Sequence, residues 1–404
     1  MTATVPDPPP WASSLTSVGT TGTNGKTTTT TWIAKALAAH GGPVVRATTI
    51  GFYLDDEELR HEKSYDGFLA TMREGLDRGA RFASVELTSE ALAQGFARAW
   101  PCQVGVFTNL SHDHLDAHGS PEHYLASKAQ LFLSLEPGAT AVLNACDETA
   151  PLLREVVPVG VSVYGYGVPS RGAPGIDLDL EATSVQLGWD GTRIGLRARG
   201  ALASAGFPAE LKVRAIGAVY AENALAALLG AYATGLAPDA AARAIAAAPA
   251  PPGRFEIVAE RPWVVVDYAH TPDALARTVA AGRELAGASG LTVVFGAGGK
   301  RDRDKRAPMG EAARSADRVI LTSDNPRNED PADIARAIAQ GLAGHPAVAT
   351  ELDRALAIGR AIAEAGPSDV VLVCGKGHER EQTIGGVVRP FSDADVARAA
   401  HARR

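Results

Sequence analysis

Cysteine is scarce. Three stand in 404 residues, Cys102, Cys146 and Cys374, an odd, scattered set. Such a set fits reduced thiols inside a cell and supports neither a disulfide framework nor a zinc site. Positive charge is also in deficit, with 39 lysines and arginines against 46 acids and a net charge of −7. That balance argues against a nucleic-acid protein held by bulk electrostatics. No apolar run is long enough to span a bilayer, and the opening "MTATVPDPPPWASS" lacks the basic and apolar regions of a secretory signal. These absences imply a soluble, cytoplasmic chain with no nucleic-acid or membrane partner, and nothing calls for an obligate protein partner. The 46% hydrophobic content is enough for a sizeable core, and the length suits about two or three domains.

One further absence is local. The stretch "SVGTTGTNGKTTTTTWIAKAL" (17–37) has the order of a phosphate-binding loop, but the glycine usually found five places before the Gly-Lys pair is Thr20. The rest fits. Val18 ends a short apolar lead, Gly22, Thr23, Asn24 and Gly25 make a tight turn, and Lys26 to Leu37 reads as a helix. Glycines let backbone N–H groups turn toward an anion, and a helix N-terminus adds positive potential. Lys26 offers a point charge for terminal phosphates, and the Thr27 or Thr28 hydroxyl offers an oxygen for Mg²⁺. A Thr-rich turn before an ordinary helix is the bland alternative.

Downstream, "PVVRATT" (43–49), "RFASVEL" (81–87), "CQVGVFTNL" (102–110) and "ATAVLNA" (139–145) are short β-branched runs separated by helical patterns. This is the pattern of a mostly parallel α/β sheet. Over 161–215 the alternation in "VSVYGYG", "ATSVQLGW" and "TRIGLRAR" leads us to expect hairpin strands and a small antiparallel addition. The segment "AAAPAPPG" (246–253) is the best domain boundary. Beyond it, "WVVVDYAH", "LTVVFGAGG", "DRVILTSD" and "DVVLVCGKG" read as buried strands ending in polar or Gly-rich loops, where open α/β sheets collect ligands.

Taken together, "TGTNGKTT", "VELTSE", "TNLSHDHLDAHGSPEHYLASKAQLF", "DYAHTPDAL", "FGAGGKRDRDKRAPMG", "TSDNPRNEDP" and "GKGHE" resemble the Mur ligase family. These enzymes form amides at the expense of ATP in cell-wall precursor synthesis. Order and spacing are similar to the branch that adds the third residue to UDP-MurNAc-dipeptide, and the resemblance runs from about residue 15 to the end. It implies a tail (1–14), a P-loop-type, mostly parallel sheet domain that binds ATP (15–250), and a Rossmann-like α/β C-terminal domain that binds the amine (251–404). It also accounts for the missing early glycine, because "TGTNGKTT" is the family's own variant of the loop.

The family's chemistry assigns roles by position. A carboxylate attacks the γ-phosphate of ATP, and an amine then displaces phosphate from the acyl phosphate. By resemblance Gly22, Thr23, Asn24, Gly25, Lys26, Thr27 and Thr28 cradle the phosphates, with Lys26 catalytic. Thr27 and Glu86 serve one Mg²⁺, His114 serves a second, and Lys128 matches the lysine that the family carbamylates. Read without the resemblance, Lys128 is a solvated helix lysine, and His112, His114 and His118 form a possible zinc cluster of unusual spacing. Asn223 matches the residue near adenine, Arg254 the arginine that reaches the phosphates, and Asp267 and His270 the element near ribose and base. On the amine side Arg301, Asn325, Arg327, Gly375 and Glu379 match the positions that hold meso-diaminopimelate. Arginine can grip a carboxylate through two parallel hydrogen bonds, and Glu379 can accept from an ammonium.

The chain also departs from the family pattern. Only about sixteen residues precede the first strand, too few for the domain that holds the UDP end of the acceptor. The acceptor stretch Thr-Thr-Pro is replaced by "EKSYDGF" (62–68), a histidine by Glu90, and a Phe-Asn pair by Val219 and Tyr220. The sequence therefore leads us to expect an ATP- and Mg²⁺-dependent ligase joining a diaminopimelate-like amino acid to a small-molecule carboxylate not bound through UDP. The alternatives are the ordinary tripeptide synthetase and a non-catalytic ATP-binding scaffold.

Overall fold

The computed structural model describes residues 6–110, 120–299 and 303–404, so the expectations for His114 and Arg301 lie outside the described residues. The chain divides into two compact units. One comprises Met1–Gln186, Thr192–Arg214 and Ala218–Ala248, the other Leu187–Gly191, Ala215–Gly217 and Pro249–Arg404.

The first unit is organised around strand Thr16–Thr21, which runs parallel to Phe82–Glu86 on one side and Val104–Phe107 on the other. Beyond Phe82–Glu86 comes Val44–Thr48, also parallel, and beyond Val104–Phe107 come Thr140–Asn144 and Ser162–Gly167. Gly51–Leu54 and Glu57–Leu59 close one edge as antiparallel strands. The carboxyl ends of Thr16–Thr21, Phe82–Glu86, Val44–Thr48 and Val104–Phe107 therefore lie side by side, and ligands of open α/β sheets gather at such ends.

Helix Lys26–Leu37 follows the first strand. Five consecutive threonines, Thr27 to Thr31, are poor helix formers because branching at Cβ restricts their rotamers. Packing compensates: the helix lies against Val219–Tyr232 and Pro238–Ala247, and Trp32, Ile33 and Leu37 are buried. The backbones come close there, since a Cβ at Gly230 would meet Ile33 Cδ1 at 3.1 Å.

The region 161–215 matches the expected antiparallel addition only in its later strands. Ser162–Gly167 extends the parallel sheet, and Leu180–Gly188 joins it in parallel through Tyr166–Leu180 and Gly167–Glu181. Antiparallel pairing enters with Gly191–Ala198 and Glu210–Val213. Alternation reports that one strand face is buried, not the direction of the partner. Residues 168–179 give a connection of about a dozen residues, the length that a parallel return requires.

In the second unit the strand order is Glu256–Ala259, Trp263–Asp267, Val370–Cys374, Leu291–Phe295, Arg318–Leu321, Val348–Thr350. All neighbours are parallel except the first pair. Val264 and Val266 face one core and Val265 the other, so both faces are covered and the strands read as continuous apolar runs. A buried ion pair ties two of these strands at their carboxyl ends. Arg354 donates to both Asp393 oxygens at 2.7 Å, to the Cys374 carbonyl at 2.9 Å and to the Ser323 carbonyl at 3.3 Å.

Candidate active site

The loop from Gly22 to Lys26 is braced from the neighbouring strand. Thr108 Oγ1 donates to the Asn24 carbonyl at 2.7 Å, and Asn109 donates to the same carbonyl at 3.0 Å. In return the Thr23 and Asn24 N–H groups donate to the Asn109 carbonyl and Oδ1, at 2.7 and 2.9 Å. The two glycines are required by geometry. Gly22 has φ +148°, and a Cβ there would lie 1.9 Å from Thr108 Oγ1. Gly25 has φ +83°, and a Cβ there would lie 2.3 Å from Asn223 Oδ1. The structure thus brings Asn223 against the loop. Lys26 Nζ donates to the Thr23 carbonyl at 2.8 Å, which keeps its charge over the turn. Thr108 and Asn109 lie within the quoted "TNL" stretch but carry no assignment in the sequence reading.

Thr27, not Thr28, faces the acidic group. Thr28 is buried in the helix, whereas Thr27 Oγ1 donates to Glu86 Oε2 at 2.9 Å. The N–H and hydroxyl of Thr49 donate to the same carboxylate at 3.2 and 3.3 Å. Two hard oxygens 2.9 Å apart suit Mg²⁺, whose octahedral ligands at about 2.05 Å are separated by roughly that distance. The donor set at Thr27 and Glu86 therefore fits the metal. Lys128 is not the solvated lysine that its helix suggests. It is 1% exposed, its Nζ donates to the Gly22 carbonyl at 2.8 Å, and it lies 4.2 Å from the Tyr124 ring centre. Among the described residues, no group of three histidine, cysteine, aspartate or glutamate side chains is arranged to hold a metal.

Beside Glu86 opens a cavity of about 560 Å³, walled by Phe52, Tyr65, Phe68, Leu87, Thr88 and Phe96, with Lys63 at its rim. Lys63 is the one cation among the described residues lining it, and its Nζ donates to the Thr49 carbonyl at 2.9 Å. The departing stretch 62–68 thus forms a wall of this cavity. Ser64 caps the helix that begins at Tyr65 by accepting from the Gly67 N–H. Glu90, the second departure, is exposed.

In the second unit, Arg254 lies over the Tyr268 ring at 4.5 Å, and His270 and His378 pack on the same ring at 4.7 and 5.3 Å. Burial, reinforced by Arg254, holds His378 below its ordinary value despite Glu379. Asp267 serves as an internal brace. Its oxygens accept from the Phe255 and Ala269 N–H groups and from Thr278 Oγ1, at 2.7, 2.8 and 2.9 Å. It fixes the turn that presents Arg254.

Asn325 and Arg327 follow the strand Arg318–Leu321, and Gly375 and Glu379 follow Val370–Cys374. Asn325 Nδ2 donates to Glu379 Oε2 at 3.0 Å, and Arg327 donates to the Gly299 carbonyl at 2.6 Å. Arg327 has φ +56°, uncommon outside glycine. Lys376, which lies within the quoted "GKGHE" stretch but carries no assignment there, is buried between these groups. Its Nζ lies 2.7 Å from Glu379 Oε2 and 3.2 Å from Asn325 Oδ1.

Residues 20–231 match the profile of the Mur ligase middle domain, and residues 253–377 that of the Mur ligase glutamate ligase domain. The chain belongs to the Mur ligase family. It is similar to the UDP-N-acetylmuramoyl-L-alanyl-D-glutamate–2,6-diaminopimelate ligase of Streptomyces coelicolor, with 40% identity over 96% of this chain and 76% of that protein. The corresponding ligase of Aquifex aeolicus is 38% identical over 94% of this chain and 76% of its own. A solved structure of a ligase with the same name superposes with a TM-score of 0.70 at 32% identity, covering 96% of this chain and 78% of that one. The folylpolyglutamate synthase of Mycobacterium tuberculosis shares the fold, with a TM-score of 0.68 at 19% identity over 97% of this chain and 91% of its own. This Mur ligase is therefore an ATP-dependent acid–amino acid ligase. Among its described residues no helix is long and apolar enough to cross a membrane.

Proposed function

We propose that this Mur ligase joins an amine of meso-diaminopimelate to a carboxylate of UDP-MurNAc-L-alanyl-D-glutamate. The observation that carries the reading is the gathering of Asn325, Arg327, Gly375 and Glu379 at the carboxyl ends of two parallel strands. It occurs in a chain 40% identical to a ligase named for that amine and that acceptor. This is the acceptor that the sequence reading ranked second, and the relatives support it better than an acceptor without UDP.

The chemistry needs positioning and neutralised charge more than covalent help from the protein. An oxygen of the acceptor carboxylate attacks the γ-phosphorus and ADP leaves. The amine then attacks the acyl carbon, loses a proton, and inorganic phosphate departs. Lys26 and the N–H groups at the start of its helix hold the phosphates, and Arg254 supplies a second positive charge to them. Thr27 and Glu86 would hold Mg²⁺, which neutralises phosphate charge when bound. Lys128, carbamylated, becomes a carboxylate-like group and keeps one N–H for the Gly22 carbonyl, and His114 would complete a second metal site. Asn223 serves the nucleotide and His270 packs near its base. At the amine, Arg327 and Arg301 take a carboxylate and Glu379 takes an ammonium.

One observation favours a second reading, an acceptor not held through UDP. The departing stretch 62–68 supplies Lys63, Ser64, Tyr65 and Phe68 to the lining of the cavity beside Glu86, which Phe52 and Phe96 also line. Phosphate release measured with lysine, diaminopimelate and glutamate, each crossed with UDP-linked and UDP-free peptide acceptors, separates the two. Turnover only with UDP-free acceptors would replace the first reading by the second, and no amine dependence anywhere would remove both.

A further inference from the structure

The amine pocket contains a cation of its own. Lys376 is 0% exposed, on the loop that Gly375 and Gly377 bend with φ +118° and +51°. A buried ammonium is costly unless its charge is paired and it is hydrogen-bonded. Two acceptors take hydrogen bonds from it, Glu379 Oε2 at 2.7 Å and Asn325 Oδ1 at 3.2 Å, and a second carboxylate adds its charge through Asp324 Oδ1 at 3.6 Å. The last oxygen is buried and accepts no hydrogen bond, so the lysine meets its charge without satisfying it as an acceptor.

The geometry has two consequences. Lys376 and Asn325 both converge on Oε2 of Glu379, which leaves Oε1 to an incoming donor, and the Glu379 side chain is 34% exposed. Asn325 is fixed as well. Its Oδ1 also accepts from the Thr383 N–H at 3.0 Å, so its amide cannot flip without losing contacts on both sides. Counting charge, the two carboxylates and one ammonium sum to one negative charge, which matches a single substrate ammonium. Arg327, held at the Gly299 carbonyl, is left to a carboxylate.

We infer that Lys376 is a positioning residue of the amine pocket: it holds Glu379 and Asn325 in the arrangement that receives an ammonium, and cancels the charge of Asp324. Its substrate class is the zwitterionic end of an amino acid. The inference rests on the reading that Asn325, Arg327 and Glu379 hold the amine substrate, and it adds a residue which that reading does not contain.

The test is a double-mutant cycle of Lys376→Met and Glu379→Gln in the full chain. Phosphate release is followed with meso-diaminopimelate as the amine and UDP-MurNAc-L-alanyl-D-glutamate as the acceptor. Lys376→Met should raise KM for the amine by about tenfold or more, the scale of a lost charged hydrogen bond, with KM for ATP within about threefold of wild type. In the Glu379→Gln background the same change should add less than about threefold, because the lysine acts through that carboxylate. Full additivity, or an unchanged KM for the amine, overturns the inference. Where Lys376→Met does not fold, Lys376→Gln takes its place. If neither folds, the lysine is a structural group and the inference fails. A wild type that shows no amine-dependent turnover overturns the functional reading instead, so the two failures are told apart.

Discussion

Adding one methyl group at position 22 should disable nucleotide binding while leaving the rest of the chain folded. Gly22 sits at φ +148°, and a Cβ there would lie 1.9 Å from Thr108 Oγ1. Gly22→Ala therefore forces a disfavoured backbone conformation, worth about 1–3 kcal/mol. It also pushes away the hydroxyl that holds the Asn24 carbonyl at 2.7 Å, a hydrogen bond worth about 0.5–1.5 kcal/mol. The sum, about 1.5–4.5 kcal/mol, falls on the loop conformation proposed to cradle phosphate, and corresponds to about a 10- to 1500-fold loss in kcat/KM for ATP. The Gly22 carbonyl also receives Lys128 Nζ at 2.8 Å, so the displacement reaches a second site residue. The assay is phosphate release against ATP concentration, with thermal denaturation to confirm folding. Thr108→Ala in the same chain relieves the overlap but not the backbone strain, and should restore only part of the loss. A Gly22→Ala protein within about threefold of wild type would refute the reasoning.

Other expectations follow from the same contacts. Lys26→Ala should cut product formation by about 100- to 1000-fold, because a positive charge aimed at the transferring phosphoryl group stabilises the transition state by about 3–4 kcal/mol; wild-type-like turnover in that variant would end the assignment. Arg354→Met leaves Asp393 buried without its partner and should cost about 3–5 kcal/mol of stability, read by chemical denaturation of the second unit. Lys63→Ala should raise KM for the acceptor and leave KM for ATP unchanged, if Lys63 meets an acceptor anion at the cavity rim. His378 is held below its ordinary value near 6.5 by burial and Arg254. The unfolded chain therefore takes up that proton first as pH falls, and stability should drop below about pH 6.5 until the folded value is passed. His378→Gln should flatten that part of the pH–stability curve.

How much of this was legible in sequence depends on how far apart the partners stand. The phosphate loop is local: its glycines, lysine and helix start lie within a few residues, and their order is their geometry. Its bracing by Thr108 and Asn109 crosses about 85 positions, and the quoted "TNL" stretch held no sign of which carbonyl it would meet. Asp267 shows the opposite limit. Its family position lies near the nucleotide's ribose and base, while the fold spends its oxygens on two backbone N–H groups and a threonine hydroxyl. Without the resemblance Lys128 reads as a solvated helix lysine, and Lys376 carries no assignment at all, yet both are buried. Charge alone does not reveal burial. Only partners drawn from distant strands do, here the Gly22 carbonyl and the Asp324–Asn325 loop. In 161–215 the expected antiparallel addition is present at 191–213, but the direction of the strands before it was misread, since a strand's pattern shows its faces and not its neighbour's direction.

The central claim, that this chain activates a carboxylate with ATP and passes it to a diamino acid, has one direct measurement. The acceptor UDP-MurNAc-L-alanyl-D-glutamate is labelled with ¹⁸O in its carboxylates, turned over with ATP and meso-diaminopimelate, and its phosphate and peptide products are read by mass spectrometry. The account predicts amide product together with inorganic phosphate carrying one labelled oxygen, both dependent on the amine. Phosphate that appears unlabelled, at a rate indifferent to the amine and without amide product, would contradict it.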